Sequence, residues 1–264
     1  MAVIISVVNQ KGGVAKTTTA INVAAALGAM GKKVLLVDLD PQGNATAGLG
    51  ISGGAKRDLQ YTTYDVIMGE VRPAQAVIAT KFKGLWLMPS TQSLAEAEIK
   101  LLRFENKNMQ LKKAILQIRD EYDIIIIDCL PSLGVLALNG LNACDRIIIP
   151  MQCEPYSLEG VAELIAIVKR VKKSSNRNLQ IMGIVFTMVD SKLKVNREVM
   201  RAIKSKFSED VFFNTEIPRN VRLTEAPSHG EPIMYYDSSS KGADAYARLS
   251  KEIARKCKAM EEML

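Results

Sequence analysis

Eight consecutive residues near the start of the chain, Lys11-Gly12-Gly13-Val14-Ala15-Lys16-Thr17-Thr18, have the types and spacing needed to hold a phosphate. Gly12 and Gly13 let the backbone curl close to an anion. Backbone N–H groups at a helix N-terminus lack intrahelical partners, and the helix dipole adds positive potential there. Lys16 supplies a point charge for β- and γ-phosphates, and the Thr17 hydroxyl is placed to ligate Mg²⁺. With Val14, Ala15 and Thr18 completing the loop, the segment predicts a site that takes ATP and Mg²⁺ as cofactors. The plainer reading, a Gly-rich turn ahead of a helix, leaves the Lys-Thr pair and the acids downstream unexplained.

Those acids are Asp38, Asp40 and Asp128, each at or just past the end of an apolar run. Open parallel sheets bind ligands beyond the C-terminal ends of their strands, so all three are expected at the edge that holds Lys16. Asp128 is the candidate for the Mg²⁺ shell, through water, because hard oxygen ligands suit that ion. Asp38 is read as supporting the metal shell. Asp40 is read as orienting or deprotonating the attacking water. The alternative is that these acids only cap strand ends.

The elements that must position these groups are legible as apolar runs. Ala2–Asn9 and Lys33–Asp38 read as buried strands, with a helix over Lys16–Met30 between them and Gly31 as its C-cap. That order is a βαβ unit and needs a parallel sheet. Tyr122–Asp128, with four consecutive Ile residues, reads as a strand buried on both faces. Gly84–Met88, Arg146–Met151 and Gln180–Met188 repeat the pattern. Helices are expected over Ser93–Leu102, Met109–Glu121, Val135–Ala143, Ser157–Lys173, Val195–Phe207 and Gly242–Met260. Thr63–Met68 and Pro73–Ala79 read as short helices and Gly43–Lys56 as a loop. The fold class is α/β: a mostly parallel twisted sheet flanked by helices on both faces, in one domain spanning 1–264.

No apolar run reaches the roughly 18–20 residues of a membrane span, and the start of the chain lacks the pattern of a signal peptide. Cys129, Cys144, Cys153 and Cys257 are widely spaced with no C-x-x-C pair, which predicts a reducing cytoplasm and excludes a disulfide framework or zinc site. The net charge of +7 is unevenly spread. Residues 1–166 hold 16 basic and 16 acidic side chains, whereas 167–258 hold 19 basic and 10 acidic. Such an excess is either a set of solvated helix faces or a footprint for a phosphate backbone. His229, the only histidine, has no Ser/Asp context for a triad, and Trp86 and Phe212–Phe213 read as core.

The strict G-x-x-x-x-G-K-[ST] pattern is not met, since Gln10 and Ala15 occupy its glycine positions. Lys11-Gly12-Gly13 followed by Lys16-Thr17 instead resembles the deviant phosphate-loop class, and longer segments are similar to the ParA/Soj partition ATPases within it. These are Asp38–Thr46, Asp128–Gly134, Pro150–Glu154, Ile217–Leu223 and Glu225–Gly230, so the resemblance covers essentially the whole chain. It implies a slow regulatory ATPase that forms an ATP-dependent homodimer, with Lys11 reaching the nucleotide of the other subunit and Pro218 and Asn220 packing against adenine. It also implies binding of non-specific double-stranded DNA and a ParB-type centromere-binding partner, with no membrane partner and a nucleoid-associated place in the cytoplasm. The basic C-terminal region agrees with the DNA step, and Lys192, Lys194, Arg197, Arg201, Arg219 and Arg222 are the candidate contacts. Ala15 departs from the class, where Gly is usual; if its backbone needs φ > 0, Ala costs on the order of 1 kcal/mol.

Three other readings compete. A MinD-like membrane switch needs a basic amphipathic C-terminal helix. Here Tyr246, Leu249, Ile253, Cys257 and Met260 form an apolar stripe, but Glu261 and Glu262 at the tip repel anionic lipid. A metabolic synthetase needs a small-substrate pocket beside the γ-phosphate, which nothing in the sequence suggests. A ParA-like ATPase that positions a protein cargo would share the same motifs.

Overall fold

The computed structural model describes residues 1–154, 157–190 and 192–261. Its strands are β1 (Val3–Val7), β2 (Val34–Leu39), β3 (Ile78–Ala79), β4 (Leu85–Met88), β5 (Ile124–Cys129), β6 (Arg146–Gln152) and β7 (Gln180–Thr187). They form one sheet in the order β3-β4-β2-β5-β1-β6-β7. Every neighbouring pair is parallel except β3–β4.

The Ile run of β5 explains why the centre of the sheet is covered on both sides. Ile125 and Ile127 face one core with Ile4, Leu35 and Val37, while Ile124 and Ile126 face the other with Val3, Ile5 and Leu36. Alternate side chains point to opposite faces, so a continuous apolar run demands two layers of helix. The α-helices are α1 (Lys16–Ala29), α2 (Asn44–Gly48), α3 (Gly53–Arg57), α4 (Thr63–Met68), α5 (Leu94–Lys100) and α6 (Gln110–Ile115), then α7 (Val135–Ala143), α8 (Ser157–Ser174), α9 (Lys194–Lys204), α10 (Val221–Glu225), α11 (Ile233–Tyr236) and α12 (Lys241–Glu261). Buried residues of α1, α2, α11 and α12 join the Ile126 core, and those of α4 to α9 join the Ile127 core.

Several expectations need correction. The segment 43–56, expected as a loop, carries α2 and most of α3; in α2 the Asp38 carboxylate fixes Thr46. The helix expected over 73–79 is a 3₁₀ turn at Pro73–Ala76 followed by β3, an edge strand antiparallel to β4. The helix expected over 109–121 is only α6, with a 3₁₀ turn at Arg119–Glu121. The stripe on α12 is core: Tyr246, Leu249, Ile253 and Cys257 are buried against the α1 side, and the Tyr246 and Thr19 hydroxyls are 3.1 Å apart. Met260 is partly buried against the same core, and Glu262 lies outside the described residues.

Gly28 of α1 packs so close to the turn before β4 that a Cβ would lie 2.5 Å from the Lys83 carbonyl oxygen. On an exposed helix Gly→Ala gains roughly 1 kcal/mol of helix propensity. Here the obstacle is backbone, and overpacking costs about 1–3 kcal/mol. Gly28→Ala is expected to lower the urea midpoint, a net loss of about 1–2 kcal/mol, with the m-value unchanged; a raised midpoint would refute this packing argument.

Candidate nucleotide site

The sheet register assembles the site. Val7, at the end of β1, lies opposite Asp128 on β5, and Asp38 on β2 lies opposite the same Asp128. The chain leaving β1 forms the phosphate loop and enters α1 at Lys16, so loop and acids share one sheet edge. Thr19 N–H makes the first helical bond, to the Ala15 carbonyl at 2.9 Å. The N–H groups of Lys16, Thr17 and Thr18 are thus left for a ligand. Gly13 has φ 73° and Ala15 has φ 66°, both left-handed. Gly12 and Gly13 are exposed, and a Cβ at either would meet nothing within 4 Å.

The Lys16 ammonium is buried and donates to the Lys11 carbonyl at 2.9 Å. Burial lowers its pKa, against the attraction of Asp128 and Asp40. The Lys11 side chain is ion-paired with Glu154 and partly exposed. Asp128 is fully buried, and neither carboxylate oxygen has a hydrogen-bond partner within bonding distance. Burial first, and then the charge of Asp38, push its pKa well above the ordinary carboxylate range, while the nearby Thr17 hydroxyl and Lys16 oppose the shift. A buried, unpartnered carboxylate beside a threonine hydroxyl fits a hard divalent cation, which would relieve the desolvation that raises its pKa. These residues therefore fit Mg²⁺, with Thr17 and Asp128 as the groups that would hold it, directly or through water.

Asp38 has a different task from Asp128. One of its oxygens accepts from the Asp40 N–H at 3.2 Å, and the other accepts from the Thr46 N–H at 2.8 Å and the Thr46 hydroxyl at 2.6 Å. Both oxygens are engaged within the chain, in contrast to those of Asp128. It fixes the 40–46 segment and places its charge next to Asp128. Burial pushes its pKa up to about 6, partly offset by the Thr46 bonds. The Thr46 hydroxyl also accepts from Ser90 N–H at 2.9 Å, and the Ser90 hydroxyl donates to the Asp40 carbonyl at 2.8 Å. Asp40 is thereby held at the cleft with its carboxylate accepting from the Gln42 N–H at 2.9 Å. Sequence reading marked Thr46 only as the end of the Asp38–Thr46 segment and missed Ser90, because both work through tertiary hydrogen bonds.

A cleft of about 660 Å³ opens over the loop. Gly12, Gly13, Ala15, Lys16, Thr17, Thr18 and Asp40 line its phosphate end, and Pro218, Asn220 and Tyr246 line the rest. Val14 is buried beneath the loop. Asn220 caps α10, its side chain accepting from the Arg222 N–H at 2.8 Å. His229 stacks on Tyr236 with centroids 4.8 Å apart. All four cysteines are buried, and no group of His, Cys, Asp or Glu able to hold a metal as a cluster occurs among the described residues.

The basic candidates separate into two groups. Lys192, Lys194, Arg197 and Arg201 are all exposed, along α9 and the turn before it, whereas Met200 and Ile203 of α9 are buried. Arg219 lies at the nucleotide cleft. Arg222 is exposed but paired with Glu225 at 2.9 Å and Asp237 at 3.4 Å.

Fold and site together define a phosphate-loop ATPase. The chain matches the AAA domain family model over residues 2–181. It is 46% identical over 254 residues to sporulation initiation inhibitor protein Soj of Bacillus subtilis, covering 96% of this chain and 99% of that protein. It is 46% identical over 246 residues to chromosome-partitioning ATPase Soj of Treponema pallidum, covering 93% and 94%. A solved structure of cobyrinic acid a,c-diamide synthase from Mycobacterium smegmatis with bound ADP and magnesium superimposes with a TM-score of 0.85 at 36% identity, covering 98% of this chain and 96% of that one. The chain belongs to the Soj/ParA family of chromosome-partitioning ATPases, and its cofactors are ATP and Mg²⁺.

The left-handed backbone at Ala15 has a measurable signature. Replacing Ala by Gly removes the Cβ penalty but loosens the unfolded chain. Ala15→Gly is expected to stabilise the nucleotide-free protein by roughly 0.5–1 kcal/mol in chemical denaturation; a destabilised variant would show that the turn is unstrained.

Proposed function

We propose that ATP closes two copies of this chain into a dimer that binds double-stranded DNA without sequence preference. A ParB-type centromere-binding protein then stimulates hydrolysis and releases the ATPase, which keeps the protein on the nucleoid in the cytoplasm only while ATP is intact. The observation that carries this reading is the exposed basic row Lys192, Lys194, Arg197 and Arg201, in a region where basic residues outnumber acidic ones by 19 to 10. Dimerisation doubles such a row, and the affinity of a cationic surface for DNA rises steeply with the number of phosphates it neutralises. Lys11 supports the dimer: its ion pair with Glu154 is exposed, holds little energy, and is readily exchanged for a phosphate of the nucleotide in a second copy.

Within one subunit, Lys16 and the free N–H groups of α1 bind the phosphates, and Pro218 and Asn220 flank the base. Mg²⁺, when bound, neutralises charge that develops on the phosphate oxygens. Asp40, with Thr17 and Asp128 on the metal side of it, orients or deprotonates the attacking water. Turnover is slow because the catalytic arrangement is completed by the second subunit and the partner protein.

DNA affinity is expected to depend on ATP, to fall steeply with salt, and to vanish in Lys16→Ala. Charge reversal at Lys194 or Arg197 is expected to weaken binding and to reduce the salt slope by about one for each DNA phosphate that is no longer neutralised. Arg222→Glu is expected to have a smaller effect, since its guanidinium already faces Glu225 and Asp237. ATP binding with unaltered DNA affinity in all the reversals would remove α9 from the interface. In a separate assay, Asp40→Ala is expected to lower kcat by about 100-fold or more while keeping ATP-dependent DNA binding; retained hydrolysis would assign the water to another group.

A further inference from the structure

Among the described residues, only two non-glycine positions have a left-handed backbone: Ala15, with φ 66°, and Met188, with φ 53°. Both line the nucleotide cleft, one in the phosphate loop and one just past β7. Such conformations persist only where the surroundings over-determine them. Two side chains do so here. Gln152 ends β6 and Thr187 ends β7, and the two are register partners. The Gln152 amide donates to the Gly13 carbonyl at 2.9 Å and lies 2.9 Å from the Met188 sulfur. An amide carries two N–H donors, so it can serve both acceptors at once. The Thr187 hydroxyl donates to the Val14 carbonyl at 3.1 Å.

Those two bonds have a geometric consequence. In a trans planar peptide the C=O and the following N–H point in opposite directions. Tying the Gly13 and Val14 carbonyls to the strand ends therefore turns the N–H groups of Val14 and Ala15 away from the sheet, into the loop. We infer that Gln152 and Thr187 are positioning residues of the ATPase site, holding the phosphate loop in its anion-binding form before nucleotide arrives. Their contribution is preorganisation: without them the loop must order its N–H groups at the moment of binding. Because the bonds act on the loop, the loss falls on nucleotides that carry a polyphosphate and not on the base.

The test measures ATP, ADP and adenosine affinities by competition against a fluorescent nucleotide, with melting temperature as a control. The variants are Gln152→Ala, Gln152→Glu, Thr187→Val and Thr187→Ser. Gln152→Glu keeps the shape but cannot donate, and Thr187→Ser keeps the hydroxyl. ATP and ADP are expected to weaken about tenfold in Gln152→Ala, Gln152→Glu and Thr187→Val. Adenosine affinity stays within twofold, and KM rises while kcat at saturating ATP changes less than threefold. Thr187→Ser restores wild-type affinity. Gln152 is only half-buried, so its variants decide the matter should Thr187→Val fail to fold. Unchanged ATP affinity in the Gln152 variants overturns the inference. So does an equal loss for adenosine, which would place the effect in the base pocket through Met188.

Discussion

The site is governed by the desolvation of Asp128. Its carboxylate sits at 0% exposure, next to a second buried acid and without a hydrogen bond. An isolated ionised carboxylate is not tolerated in such a place. Lys16 answers part of that charge, but its ammonium bonds to the Lys11 carbonyl and is itself depressed by burial. A divalent cation held there would answer the remainder. The rest of the architecture follows from placing that carboxylate. A parallel sheet with β5 between β1 and β2 puts Asp128 beside Val7 and Asp38, where it is fully buried.

Around that charge the chain builds rigid parts from ordinary hydrogen bonds. Asp38 commits both oxygens to Asp40 and Thr46, and Thr46 passes the constraint to Ser90. The two acids look equivalent in the sequence, yet one is fully engaged and the other is not. That difference divides the labour between a group that shapes the 40–46 segment and a group available to metal.

Most of the fold was legible from apolar runs, because central parallel strands cannot be written any other way. The Ile124–Ile127 run determines both the place of β5 and the need for two helical layers. The phosphate loop was legible because its chemistry requires particular residues at fixed spacing. What stayed hidden depends on contacts between distant residues. β3 has two residues and no pattern, and it exists only because it pairs with β4. α2 lies in a Gly-rich stretch that propensity assigns to loop, and a hydrogen bond from eight residues upstream overrides it. Ala15 departs from the glycine usual in its class, and its left-handed backbone shows what that glycine is for. The strand-end residues Gln152 and Thr187 could have been suspected from position alone, since every parallel strand ends at the ligand edge.

The first and last helices of the chain are packed against each other. Tyr246 of α12 touches Thr19 of α1 and also forms part of the wall of the nucleotide cleft. During synthesis the phosphate loop leaves the ribosome among the earliest segments, and chains generally fold from the N-terminus as they are made. This cleft cannot be finished in that order. One part of its wall, Tyr246, is translated more than two hundred codons after the loop, so a chain stalled before it presents the loop without that side of the cleft.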